Sequence, residues 1–221
     1  MQNSGQDPRP DPATAVRARG RPRGRPRAFD REAALAEATR LFWRKGYEAT
    51  SIADLTAVMG IGSPSLYAAF GSKEALYVEA VRHYGDRYEA LVWSRFQAAP
   101  TARAAVEAFL IDSAGALTGS VADNPPGCMV TLASVGDDEH RELGQHMRCA
   151  RAAGLQRLED RFRRAQADGD LPASSDLHAL ARFVQTVQSG MSILARDGAG
   201  RDELEAVARM ALAGWDAQVG A

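Results

Sequence analysis

Three groups of residues have types and spacings that could do chemistry. The first is the run at residues 20–27, where Arg21, Arg23, Arg25 and Arg27 alternate with Gly and Pro. Extended arginines at this spacing fit a narrow minor groove, where negative potential concentrates. They could equally act as a basic arm that attracts phosphates without reading sequence, so both uses stay open. The second group lies between residues 50 and 73 and holds Ser63, Ser65, Tyr67 and Lys73. Ser63 and Ser65 could face the bases of a groove, and Lys73, beside the helix start at Ser72, could hold a phosphate. The third is Cys128, which follows Pro126-Gly127. If it opens a helix, the helix N-terminus would stabilise and activate a thiolate there. The alternative is a small buried hydrophobe. No spacing brings Cys149 to it as a resolving partner. His83, His140, His146 and His178 are scattered, with only His146 placed to line a pocket, and no metal or cofactor is expected.

These groups need elements to position them. The spacing of Ile52, Leu55 and Met59 predicts a helix over residues 51–58, with Thr50 as its cap. Met59-Gly60-Ile61-Gly62 reads as a tight turn. Ser63 then caps a short helix from Pro64 to Phe70, in which Leu66 and Phe70 face inward and Ser65 and Tyr67 face outward. Two short helices joined by a glycine-containing turn are the pattern of a helix-turn-helix that reads DNA. A helix over residues 30–45, capped by Asp30, precedes it; Trp43 and Tyr47 are read as packing residues. Downstream, helices are expected over residues 72–96, 101–120, 128–135, 140–167, 176–196 and 201–218. No segment reads as strand. The expected fold is all-α, with about nine helices.

Particular residues also carry a family resemblance. The run Ser65-Leu66-Tyr67-x-x-Phe70-x-x-Lys73-Glu74-x-Leu76 resembles the signature of TetR-type transcriptional regulators. So does Ala38-x-x-Leu41-Phe42-x-x-x-Gly46-Tyr47-x-x-Thr50-Ser51-x-x-Asp54-Leu55. The resemblance spans roughly residues 29–80. It implies a three-helix DNA-binding domain followed by a helical effector-binding and dimerisation domain. It also implies that Tyr67 and Lys73, with Thr50 and Ser51 from the preceding helix, contact phosphates. Many relatives carry Lys or Arg where this chain has Ser63, and Gly where it has Pro64. The arginine run, which resembles an AT-hook, is therefore expected to add charge and minor-groove contact.

The family mechanism is release of DNA when a small molecule enters the helical domain. Candidate pocket residues are Trp93, Phe96, Phe109, Ser113, Met129, Thr131, Leu132, Met147 and Phe162, together with Cys128. The sequence around Pro126-Gly127-Cys128 is similar to a subgroup in which some members sense electrophiles or oxidants. The resemblance further implies a homodimer through the last two helices. Leu180, Val184, Val187 and Met191 on one and Leu204, Val207, Ala211 and Trp215 on the other are the candidate interface, unless their apolar faces only complete the monomer.

Composition agrees with this outline. The chain has 221 residues, enough to bury a substantial core, and a net charge of −1. That charge is unevenly spread. Residues 1–28 carry about +5, residues 29–75 about −1 and the remainder about −5. Positive charge gathered at one end suits double-stranded DNA as a partner. The two cysteines have no metal-like spacing, and no apolar run reaches the roughly 20 residues that span a bilayer, so a cytoplasmic location is expected. The expected organisation is a basic disordered tail at 1–28, a DNA-binding domain at 29–75 and an effector and dimer domain at 76–221. Two competing readings remain: an architectural DNA protein that uses the tail, and a thiol enzyme built on Cys128, which would need a base near the sulfur.

Overall fold

The computed structural model describes residues 30–133 and 140–220, with Met1. Arg21, Arg23, Arg25 and Arg27 lie outside the described residues, as does the far end of the 128–135 segment. Among the described residues there are nine α-helices and no strand. They run α1 (Arg31–Lys45), α2 (Ile52–Met59), α3 (Ser63–Phe70), α4 (Lys73–Tyr88), α5 (Ala90–Ala98), α6 (Ala102–Leu117), α7 (Arg141–Ala167), α8 (Leu177–Arg196) and α9 (Arg201–Val219). None is long and apolar enough to cross a membrane.

The first four helices build the helix-turn-helix. Asp30 caps α1 by accepting from the Glu32 and Ala33 amides. Ser51, not Thr50, caps α2: its hydroxyl accepts from the Asp54 amide while Asp54 accepts from the Ser51 amide, a reciprocal capping box. Gly60 ends α2 in the left-handed region at φ 66°, a conformation that a side chain would strain. Gly62 occupies the cap of α3, so Ser63 is already its first helical residue. Leu66 and Phe70 anchor α3 inward onto α1 and α4 residues such as Phe42, Leu76 and Tyr77.

Two apolar clusters organise the chain. One joins α1 to α4 and also takes in Met129, Leu143 and Met147. The other joins α5, α6, α7, α8 and α9 around Phe96, Phe109, Phe162 and Trp215. This division explains two departures from the sequence reading. The helix expected over 72–96 is interrupted at Glu89, because its first half packs Leu76 and Ala80 into one cluster and its second half packs Phe96 into the other. The segment from Cys128 is a turn rather than a helix, with a single Leu132 amide to Cys128 carbonyl bond of 3.0 Å. Its side chains are drawn apart: Cys128 packs on the larger cluster and Met129 enters the other. So short a helix has little intrinsic stability to resist that pull.

Candidate nucleic-acid interface and effector cleft

α3 presents an exposed surface of Ser63, Pro64, Ser65, Tyr67 and Ala68, and Tyr67 is 47% exposed although it is a large ring. The helix is held firmly beneath that surface. Arg31 of α1 pairs with Glu79 of α4 at 2.8 Å, donates to the Ala69 carbonyl at the end of α3, and lies 4.4 Å from the Phe70 ring centroid. Lys73 opens α4 just after the Ser72 cap, its ammonium 4.1 Å from the centroid of the Tyr47 ring. The Tyr47 hydroxyl donates to Glu74 at 2.6 Å. Burial, then the hydrogen bond to Glu74, push the Tyr47 phenol well above its ordinary value, and the same bond lowers Glu74. A neutral donor and an ionised acceptor therefore hold the Lys73 platform in place at neutral pH.

The preceding helix contributes less than expected. Thr50 is buried, and its hydroxyl donates to the Gly46 carbonyl at 2.6 Å, so its donor is already spent on bracing the turn. Ser51 is exposed, but its hydroxyl is engaged with Asp54. The Ser51 amide bond, then the Lys45 and Ser51 side chains, hold the Asp54 carboxyl at about 2. On α3 the outward polar groups are thus Ser63, Ser65 and Tyr67, with Lys73 half-buried at the start of α4.

The helical domain contains a cleft of about 430 Å³ between α4, α5, α6, α7 and α8, within the size range of small-molecule sites. Of the residues expected there, it receives Trp93, Phe109, Cys128 and Thr131. Phe96, Ser113, Met129, Met147 and Phe162 are instead buried in the two apolar clusters or beside them, and neither they nor Leu132 line the cleft. Exposed His146 does not line it either. Sequence reading missed Tyr84, Tyr88, Arg151, Arg157, Arg182 and Gln185, which do. The repeat of Ala80, Tyr84 and Tyr88 along one face of α4 was a usable signal for the tyrosines; nothing in the sequence singles out these arginines from others on the polar faces of α7 and α8.

Cys128 lines this cleft and is partly buried. The Tyr84 hydroxyl donates to its sulfur at 3.3 Å, and its own amide donates to the Ser192 hydroxyl at 2.8 Å. Burial, then the neighbouring Cys128, push the Tyr84 phenol well above its ordinary value, so it remains a donor at neutral pH. The helix N-terminus invoked for the thiol is absent. Gly127 adopts φ 81°, and a Cβ there would approach Leu132 Cδ1 to 2.4 Å and the Ser192 carbonyl to 3.0 Å, so only glycine fits beside Cys128. Cys149 is exposed on α7. No group of His, Cys, Asp and Glu among the described residues could hold a metal ion.

Trp43 joins α1 to residues that line the cleft. This α1 residue is buried, with its ring 4.7 Å from that of Tyr84 and 5.0 Å from that of Tyr88, edge to face in both cases. Its indole N–H donates to the Gly127 carbonyl at 2.9 Å. Arg196, at the end of α8, donates to the carbonyls of Trp43 and Arg44 at 2.7 and 2.9 Å, and so caps the C-terminus of α1 from the other domain.

The residues expected at a dimer interface prove to be mostly interior. Leu180, Val184, Met191, Leu204, Ala211 and Trp215 are buried within the protomer, and Val187 and Val207 are partly buried against the same core. The helical period that made them conspicuous marks the core-facing stripes of α8 and α9. The apolar side chains these helices leave outside are Phe183, Ile193, Leu194 and Met210.

Residues 34–80 match the family described as bacterial regulatory proteins, tetR family. Over 191 residues the chain is 34% identical to the HTH-type transcriptional repressor ComR of Escherichia coli K12, covering 86% of this chain and 90% of ComR. It is 33% identical to the HTH-type transcriptional repressor BdcR of the same organism, over 84% of this chain and 88% of BdcR. Among solved structures, a cysteine mutant of the TetR family regulator CifR, complexed with 26-bp operator DNA, superposes with a TM-score of 0.81 at 41% identity, covering 87% of this chain and all of that one. The chain therefore belongs to the TetR family of helix-turn-helix transcriptional regulators.

Proposed function

We propose that this regulator is a cytoplasmic repressor that binds a near-palindromic operator as a homodimer and releases it when a small molecule fills the cleft beside Cys128 or a thiol-reactive compound modifies that sulfur. The relatives named as repressors, and the operator-bound relative, support the first half. One observation carries the second: Trp43, a residue of the DNA-reading domain, rests on two tyrosines that line the cleft and bonds to the residue beside Cys128. An occupant that moves Tyr84, Tyr88 or Gly127 must move α1. Differential affinity for the two arrangements is all that release requires. The working division is the tail at 1–28, the reading domain at 29–75 and the effector and dimer domain beyond it. The dimer forms on the outer faces of α8 and α9 through Phe183, Ile193, Leu194 and Met210, which would leave an exposed apolar surface on a monomer.

The coupling can be tested without an effector. A Cβ on Gly154 would stand 4.0 Å from Trp93 Cζ2, in ordinary contact, so Gly154→Ala is tolerated while Gly154→Phe projects a ring into the cleft. Gly154→Phe is expected to bind operator at least about tenfold more weakly than Gly154→Ala, equivalent to about 1.4 kcal/mol. Equal operator affinity for two folded variants would sever the cleft from the DNA end.

The tail adds a second expectation. Removing residues 1–27 takes away seven arginines and two aspartates. Operator affinity should fall, and its dependence on salt should flatten, because fewer counterions are displaced from DNA. An unchanged slope in a salt titration would mean that the tail does not touch the duplex.

A further inference from the structure

We infer that the cleft selects an anionic ligand with a flat apolar body, an aromatic carboxylate being the simplest member of the class; this rests on the cleft being the effector site proposed above. Charge is the first observation. Arg148, Arg151, Arg157 and Arg182 all line the cleft, and Glu89 is the one carboxylate among its lining residues. Arg157 is already matched to Glu89 at 2.8 Å. The other three find only neutral acceptors among the described residues. Arg148 donates to Gln145, Arg182 to Gln185, and Arg151 to the Val130 and Ala133 carbonyls at 3.3 and 3.5 Å. Three guanidinium groups thus line the cleft with no carboxylate partner among the described residues, and an anion bound there would gain their charge and their donors. Guanidinium donors in a planar fork match a carboxylate or phosphate in geometry as well as charge.

Shape is the second observation. Trp93 and Phe109 meet with ring centroids 4.7 Å apart on one side of the same space, and Tyr84 and Tyr88 meet at 5.6 Å on another. Between them α7 offers Ala150, Ala153 and Gly154, whose missing bulk lets a ring approach the helix backbone. A planar apolar group would find these rings as contact surfaces in the same cleft that the arginines line. An apolar cation would meet the ring faces favourably but the three unmatched arginines unfavourably.

The test uses three probes of one shape and different charge: 1-naphthoate, 1-naphthamide and 1-naphthylmethylammonium. Binding to the full chain is read by isothermal titration and by the change in tryptophan fluorescence. The naphthoate should bind at least tenfold more tightly than the amide, and the ammonium most weakly. The doubly substituted Arg148→Gln/Arg182→Gln protein should lose that preference, while Arg164→Gln, an exposed arginine of α7 that does not line the cleft, should keep it. Both altered arginines are themselves exposed, so the fold should persist, and unfolding curves check this. Amide or ammonium binding as tight as the naphthoate, no binding by any probe, or a preference that survives the double substitution would each overturn the inference. Tight, arginine-dependent naphthoate binding that leaves operator affinity unchanged would uphold the ligand class and instead refute the effector role of the cleft.

Discussion

Trp43→Phe should yield a protein that still binds its operator but no longer lets go when the cleft is filled. The phenyl ring keeps much of the contact with Tyr84 and Tyr88, so α1 stays seated on α4. It removes the indole N–H, and with it the hydrogen bond from α1 to the Gly127 carbonyl beside Cys128. Leaving the Gly127 carbonyl without its donor costs about 1–3 kcal/mol if the site stays dry. Trp43→Ala is more severe. It empties a buried aromatic site and should cost about 3–5 kcal/mol, enough to threaten a domain whose whole stability is roughly 5–15 kcal/mol. Urea unfolding separates the two variants, and operator release by a cleft ligand, or its mimicry by Gly154→Phe in the Trp43→Phe background, reads the coupling. If Trp43→Phe releases operator as readily as the parent, the Trp43 contact is packing and nothing more.

Tyr67→Ala should have the opposite profile, with stability intact and operator binding impaired. Leu66 and Phe70 anchor α3, whereas Tyr67 points away from them and stands 47% exposed, so its loss opens no cavity. Surface changes of this kind usually fall within about 0.5 kcal/mol. A hydrogen bond to a charged phosphate contributes about 1.5–3 kcal/mol, so each lost contact should weaken operator binding roughly ten- to a hundredfold. The effect should be similar on any duplex, because phosphate contacts position the protein without reading sequence. A folded Tyr67→Ala protein with parental affinity would remove this residue from the interface.

The contrast between these residues shows what the sequence could convey. Helix starts at Asp30 and Ser72, glycine stops at Gly46 and Gly60, and the inward pair Leu66 and Phe70 are local signals, and each was legible. The exposed face of α3 was legible for the same reason, since it is built from one short stretch of chain. The bond of the Thr50 hydroxyl to a backbone carbonyl one turn away, in competition with any outside contact, was not legible in the spacing. The cleft was less legible. Its walls come from α4, α5, α6, α7, α8 and the 128–131 turn, and a period in one helix shows which face is apolar but not which core that face joins. Met147 and Phe162 share the same apolar stripe of α7, yet they enter different clusters. Trp215 was a candidate interface residue, with the monomer core as the alternative, and is buried in the larger cluster with its ring 5.1 Å from that of Phe162.

A sequence-specific regulator should prefer one DNA site over all competing duplex. The most direct measurement is protection of the DNA upstream of its own gene and the divergent neighbour, with rising salt and non-specific competitor. A near-palindromic protected segment, bound several orders of magnitude more tightly than competitor, is the predicted result. Diffuse protection that salt removes uniformly, with no preferred segment, would contradict it and leave only the basic tail as a DNA-binding element.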